Sequence, residues 1–247
     1  MMKTKLTTIA VLMLLFCSGL RLSAQDGLGL NVGYVTSVNI KNYFGEKGHS
    51  PVMNGLRVGA TQDIKLAGQF YFEPGLYYSF LTDKGDIASN QYANYFIVDL
   101  LKEHYLSIPL MFKYNFELSD AITGLYVFGG PTLIAGLSSK STIAIARQTQ
   151  SSYDFLGGLE YNYYKNEITE NEFVDVIGKT IAETYLPPAA YRRFDVALGI
   201  GVGLEVLEYL DVKVGYDWGL VNRVTGELSS DFKTRRSQFY ITAGVRF

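Results

Sequence analysis

Residues 236–247 read Arg-Ser-Gln-Phe-Tyr-Ile-Thr-Ala-Gly-Val-Arg-Phe. Side chains alternate along a strand with a period of two. Phe239, Ile241, Ala243, Val245 and Phe247 therefore share one face, and Gln238, Tyr240, Thr242, Gly244 and Arg246 share the other. An apolar face, a polar face holding an arginine, and a terminal Phe247 fit the closing strand of a β-barrel. A closing strand pairs with the first one, so the rest of the chain must supply the strands between.

The same period recurs upstream. Leu28, Leu30, Val32 and Tyr34 alternate with Gly29, Asn31 and Gly33 in a strand over about residues 27–38. Leu56, Val58 and Ala60 mark a second over 54–64, and Phe70, Phe72, Leu76, Tyr78 and Phe80 a third over 69–80, after a tight turn at 65–68. Leu106, Ile108, Leu110, Phe112 and Tyr114 mark a fourth over 103–115. The fifth, over 122–136, carries apolar residues on both faces, so its register stays open. The sixth is the clearest: Phe194, Val196, Leu198, Ile200, Val202, Leu204 and Val206 lie against Arg193, Asp195, Ala197, Gly199, Gly201, Gly203 and Glu205. A turn at Glu208-Tyr209 leads to the seventh, where Leu210, Val212, Val214, Tyr216, Trp218 and Leu220 oppose Asp211, Lys213, Gly215, Asp217 and Gly219.

The connections between these strands alternate long and short, the asymmetry of outer-membrane barrels. An even strand number then places both barrel termini on the periplasmic side. The longest connection, residues 137–191, repeats Phe173, Ile177, Ile181 and Tyr185 at helical spacing. Thr169 and Glu172 have capping-box spacing, and Pro187-Pro188 would stop such a helix, so a short amphipathic helix is expected on this third outer loop.

Composition agrees with an all-β reading. Tyr (19) and Phe (15) far outnumber Trp (1), and 25 glycines supply turns and close approaches. A net charge of −2 leaves no basic footprint for nucleic acid. Residues 1–24 read as a signal peptide: Lys3 and Lys5, an apolar run over 9–16, then Leu22-Ser23-Ala24. Residues 25–247 form the barrel domain. Cys17, the single cysteine, lies in the leader, so the mature chain has no disulfide. A lipoprotein reading would acylate Cys17, but Phe16 is a poor small-residue neighbour for it. Past Gln25 no apolar run reaches the 18 residues of a membrane helix, so entry into a membrane would have to be as a closed barrel.

An inverted alternative is a soluble barrel with a greasy pocket, like a lipocalin. An eight-stranded barrel has room inside only for a filling of side chains. The large apolar faces would overfill it, whereas the glycine-rich polar faces fit. Those faces also balance in charge, with Glu73, Asp195, Glu205, Asp211 and Asp217 against Lys113, Arg193, Lys213 and Arg246. Buried charges must pair, and the expected lumen network is these nine residues. It reads either as a salt-bridged plug or as the lining of a narrow pore. Tyr34, Tyr78, Phe80, Tyr114, Tyr209, Trp218 and Phe247 fall near strand ends, where interfacial aromatic girdles belong. Pro74, Pro109 and Pro131 fall inside strands, and because proline cannot donate to the ladder they predict bulges or rim positions.

The segments around those prolines carry a resemblance. Glu73-Pro74-Gly75-Leu76-Tyr77-Tyr78-Ser79, then residues 105–114 (Tyr-Leu-Ser-Ile-Pro-Leu-Met-Phe-Lys-Tyr), then Gly129-Gly130-Pro131 resemble strand motifs of the PorT-like outer-membrane β-barrel family. Residues 199–205 and the ending Gly244-Val245-Arg246-Phe247 are similar too. The resemblance covers the mature chain. It implies an OmpA-like eight-stranded barrel in the outer membrane of a Gram-negative bacterium, and one branch of the family is linked to protein secretion.

Chemical motifs are thin. Glu103-His104 could seed a lipid-facing acyl-hydrolase site, but Ser107, three residues on, points to the opposite strand face. Asp83, Asp86 and Asp99 match no calcium-loop spacing, and His49 and His104 do not make a metal cluster. Gly199, Gly201 and Gly203 alternate along a strand and lack the helix that phosphate binding uses. The expectation is an all-β, eight-stranded antiparallel up-and-down transmembrane β-barrel with long outer loops. It would act as a non-catalytic membrane anchor or interaction scaffold, without catalytic residues, metal or cofactor. Its partners would be outer-membrane lipid, the barrel-assembly machinery that receives the closing strand, and a protein at the outer loops. A small-solute channel and a lipid-modifying enzyme are the alternatives.

Overall fold

The computed structural model describes residues 27–83, 86–90, 95–116, 124–148, 152–170, 180, 190–206, 209–226 and 229–247. Within them the chain forms β1 (Leu28–Tyr43), β2 (Glu46–His49), β3 (Met53–Gln62), β4 (Ile64–Ala67), β5 (Phe70–Thr82), β6 (Asp86–Asn90) and β7 (Tyr95–Phe116). There follow β8 (Gly124–Gln148), β9 (Tyr153–Asn162), β10 (Glu167–Glu170), β11 (Phe194–Val206), β12 (Leu210–Gly219) and β13 (Phe232–Arg246).

Eight of these close a ring in the order β1-β3-β5-β7-β8-β11-β12-β13, every pair antiparallel. The closing seam runs from Gly29 opposite Arg246 to Tyr43 opposite Phe232, and Leu28 O accepts the Phe247 N–H. Closure leaves the ring no free edge, which lets backbone polar groups exist in a membrane without water.

Period-two alternation sorts the side chains. Leu30, Val32, Leu56, Val58, Phe112, Ile200, Val202, Trp218 and Ile241 are exposed on the outer surface. Arg57, Tyr77, Tyr105, Lys113, Tyr126, Lys213 and Tyr240 are buried inside. The open register of the fifth ring strand, β8, resolves with Tyr126, Phe128, Thr132 and Ile134 inward and Leu125, Val127 and Leu133 outward. Inward glycines make room for inward rings. A methyl group on Gly203 would overlap the Tyr126 ring, and one on Gly215 would overlap the Tyr240 ring. The core is thus the lumen, where Val35, Met53, Leu81, Met111, Phe128 and Ile134 pack among the tyrosines.

Several expected loops are strand. The first includes the end of β1 and β2, which pair from Ile40–His49 to Tyr43–Glu46. The second contains β6 and the start of β7, paired from Asp86–Asp99 to Asn90–Tyr95. The third contains the last dozen residues of β8, then β9 and β10. Thr169, read above as a helix cap, sits in β10 opposite Glu160. The stripe at Phe173, Ile177, Ile181 and Tyr185 lies outside the described residues. The turn placed at 65–68 falls later, at Gly68-Gln69, with Gly68 at φ +54°.

Ring pairing fixes where the extra strands stand. β5 pairs with β7 only as far as Thr82–Lys102, and β11 with β8 only as far as Phe194–Ala135. Beyond those points β7 and β8 continue together to Tyr95–Arg147, now flanked by β6 and β9. They rise out of the ring as a projecting sheet at the end away from Gly27 and Phe247. Within it Ile143, Ile145 and Leu159 are fully buried.

The three prolines are neither bulges nor rim residues. Register stays constant through them, with Pro74 opposite Leu110, Pro109 opposite Thr132 and Pro131 opposite Leu198. Instead the ladder lapses. β5 and β7 miss the pairs between Pro74–Leu110 and Tyr77–Ser107, and β7 and β8 miss those between Pro109–Thr132 and Phe112–Gly129. Missing donors are gathered into one seam across three strands, so no strand has to shift register. The β7–β8 register shift falls elsewhere, at His104/Tyr105.

Candidate functional site: a charged and filled lumen

The inward faces bring charges together in three tiers along the barrel axis. At the end near Gly27 and Phe247, Lys113 Nζ lies 2.6 Å from Glu205 Oε1 and 2.9 Å from Asp63 Oδ2. Arg246 joins Glu205 and sits 3.1 Å from Asp63. Lys213 Nζ donates to both oxygens of Glu73 at 2.6 Å and lies 3.3 Å from Asp211. The Tyr126 hydroxyl donates to Asp211 at 2.5 Å, and its ring lies 4.0 Å beneath the Lys113 ammonium. Four carboxylates (Asp63, Glu73, Glu205, Asp211) meet three cations here, so this end is acidic by one charge.

The middle tier is built on Arg57. Its guanidinium lies 4.2 Å from the ring centres of both Tyr77 and Tyr240, and 3.9 Å from Asp217 Oδ2. Cation–π contact strengthens when water is excluded, as it is around this fully buried side chain. Gln238 donates to Asp217 at 2.6 Å and accepts from the Tyr105 hydroxyl at 2.8 Å. At the loop end, Glu103 receives Arg223 at 2.9 Å, Arg236, and the Ser139 hydroxyl at 3.1 Å. Arg223 also donates to Asn39 at 2.7 Å and lies over Tyr191. Arg236 lies over Tyr105.

The structure places the nine expected lumen residues unequally. Glu73, Lys113, Glu205, Asp211, Lys213 and Arg246 converge in the first tier, and Asp217 lies in the second. Asp195 is buried inward near the loop end and accepts the Val196 N–H. Arg193 is a correction: it is exposed, its guanidinium over Tyr164 and 3.4 Å from the Gly136 and Leu137 carbonyls. It stands one residue before β11, where strand alternation no longer holds it inward. Arg57, Asp63, Glu103, Arg223 and Arg236 were not anticipated. Parity with Leu56 and Val58 would have found Arg57, and parity with Gln238 would have found Arg236. Arg223 and Asp63 lie outside the strands, so no periodicity marks them.

One end of the lumen opens into a hollow of about 300 Å³ lined by Asp63, Tyr71, Asn115, Glu205, Arg246 and Phe247. Behind it the three tiers fill the interior with buried side chains. Among the described residues no three His, Cys, Asp or Glu converge on a metal position. Asp83 accepts the Leu101 N–H, and Asp99 accepts from Ser141. His104 is on the outer surface, its Nδ1 2.6 Å from the Tyr78 hydroxyl, while Ser107 is buried on the inner face.

Ail, the attachment invasion locus protein of Yersinia pestis, aligns over 90% of this chain and 100% of its own at 12% identity, TM-score 0.39. Neisserial surface protein A aligns over 88% and 97% at 11% identity, TM-score 0.37. The N-terminal barrel domain of OprF from Pseudomonas aeruginosa aligns over 90% and 100% at 12% identity, TM-score 0.28. No curated protein matches the sequence. The family model described as "Outer membrane protein beta-barrel domain" matches residues 21–223, most of the chain. The chain therefore belongs to the outer membrane protein β-barrel domain family, and it is an outer-membrane β-barrel.

Proposed function

We propose that this barrel is a non-catalytic anchor and interaction scaffold of the PorT-like branch. Residues 1–24 act as its cleaved signal peptide, its termini face the periplasm, and its projecting sheet faces outward. The observation that supports this reading is the contrast between the two parts of the molecule. The lumen is occupied by mutually paired charges, whereas β7 and β8 carry a sheet beyond the ring. A rigid frame that presents extended segments is the usual arrangement for recognition. The partner is then a protein that meets β6, β9, β10 or the segments joining them.

Protease treatment of intact cells tests the reading. Cleavage within residues 84–94, 149–151 or 171–189, with the termini protected and a heat-modifiable barrel fragment retained, is the expected result. Cleavage at the termini would overturn the orientation. A protein recovered from the periplasm in soluble form would overturn the anchor.

A further inference from the structure

The outer surface holds one groove that the lumen account does not use. It measures about 380 Å³ and is lined by Leu56 and Val58 on β3, Tyr78 and Phe80 on β5, and His104 on β7. These residues are cross-strand neighbours: Leu56 faces Phe80, Val58 faces Tyr78, and Phe80 faces His104. The floor is apolar. The polar end is His104, whose ring lies 4.8 Å from that of Phe80 and whose Nδ1 meets the Tyr78 hydroxyl. In the tautomer whose Nδ1 accepts from the Tyr78 hydroxyl, Nε2 carries the ring proton and can donate outward.

Just beyond, two residues along the same strand face, is Lys102. It is exposed and sits directly opposite Lys140 on β8. Like charges facing one another across a strand pair are unfavourable. Lys140 is answered by Glu160 at 2.6 Å, but among the described residues Lys102 has no acidic partner. A cation without an acidic partner among the described residues and an imidazole able to donate from Nε2 therefore stand at the head of an apolar groove, on the surface that faces lipid.

We infer that this groove is a binding site for a phosphorylated, acylated glycolipid of the outer leaflet. An acyl chain lies along Leu56, Val58, Tyr78 and Phe80, and a phosphate meets Lys102 and His104 Nε2–H. Charge-assisted hydrogen bonds to a phosphate are among the stronger polar contacts available at such a boundary. In this assignment His104 recognises a lipid and does no chemistry on it. The choice of leaflet rests on the outward orientation proposed above; the groove and its charge do not.

The test uses the full barrel in nonionic detergent micelles, with lipid A as the probe. Dephosphorylated lipid A and phosphatidylglycerol serve as comparisons, and binding is read from the midpoint of the heat-induced gel shift and by native mass spectrometry. Lipid A is expected to raise the midpoint of the unaltered protein. Lys102→Glu and Val58→Trp, which reverse the charge and fill the groove, should each weaken its apparent affinity about tenfold, the scale of one lost hydrogen bond to a charged group. Arg235→Glu, an exposed residue on β13 away from the groove, should leave it unchanged. Equal affinity in all three variants would overturn the site. Phosphatidylglycerol binding as tightly as lipid A would overturn the outer-leaflet assignment. Termini cleaved on intact cells, with lipid A binding intact, would overturn the orientation and with it the choice of leaflet, and leave the groove as the binding site.

Discussion

At the residue scale the decisive group is Glu103. It is fully buried and is the carboxylate that meets both Arg223 and Arg236. Taking an ion out of water costs several kcal/mol, and only a well-placed partner repays it. Glu103→Gln leaves two buried guanidiniums without their counter-charge and should lower stability by roughly 3–5 kcal/mol. Urea unfolding in micelles reads that loss. Arg193→Ala, at an exposed position whose guanidinium meets two backbone carbonyls and the Tyr164 ring, should change stability by less than about 0.5 kcal/mol. A Glu103→Gln barrel as stable as the Arg193→Ala barrel would show that the loop-end tier contributes nothing. The Lys213–Glu73 pair offers a second reading of the same physics. Glu73→Gln should be costly, and Glu73→Leu combined with Lys213→Met should be markedly less so, because the pair is removed together.

Glu103 also shows where sequence reading stops. Its parity with Tyr105 points it inward, yet its two partners come from β13 and from the segment after β12. Parity says which side of a strand a charge occupies. It does not say which charges share a height in the barrel, since that depends on shear and on segments such as residues 220–226 that return into the lumen. Six of the seven charges of the first tier were readable because they sit on regular strands; Asp63, between β3 and β4, was not. The third needed Arg223, which no repeat announces.

At the element scale, seven of the eight ring strands were legible from alternation, and closure from the final one; the fifth was placed, but its faces stayed open until Tyr126 and Phe128 were seen to point inward. The continuations of β7 and β8 were not legible, although Ile143 and Ile145 alternate with Ala144 and Ala146. A barrel strand needs only about 9–11 residues to cross a membrane, so anything longer is naturally read as loop. The prolines misled in a different way. Proline was expected to break register, but here the lapses lie next to each other, and each strand pair resumes the same register on both sides. Amides flanking the lapses, such as Leu76, Leu110, Met111 and Gly130, should exchange with deuterium faster than those in the unbroken β11–β12 pairing from Ala197 to Val206. Hydrogen exchange of the micelle-bound barrel checks this, and uniform protection across both regions would show that the seam is not locally weak.

At the scale of the whole molecule, the tiers decide what passes through. A small barrel has an interior that side chains can fill, and this one holds Arg57, Tyr105, Lys113 and Tyr126 fully buried within it. The reconstituted protein should give no steady conductance in a planar bilayer. The excess carboxylate at the end near Phe247 adds a sign: any current released by unplugging, for example in Arg57→Ala, should favour cations over anions. An open unaltered barrel, or an anion-selective unplugged one, would contradict this account of the lumen.

The projecting arms set a length. β8 alone has 25 residues, which at about 3.3 Å each is roughly 80 Å of continuous strand. The hydrocarbon layer takes up only part of that path, even with the usual tilt of about 40°. With the orientation proposed above, the remainder would stand among the sugars of the neighbouring lipids. A partner could then be met at the outer fringe of the cell's coat, without having to reach the bilayer itself.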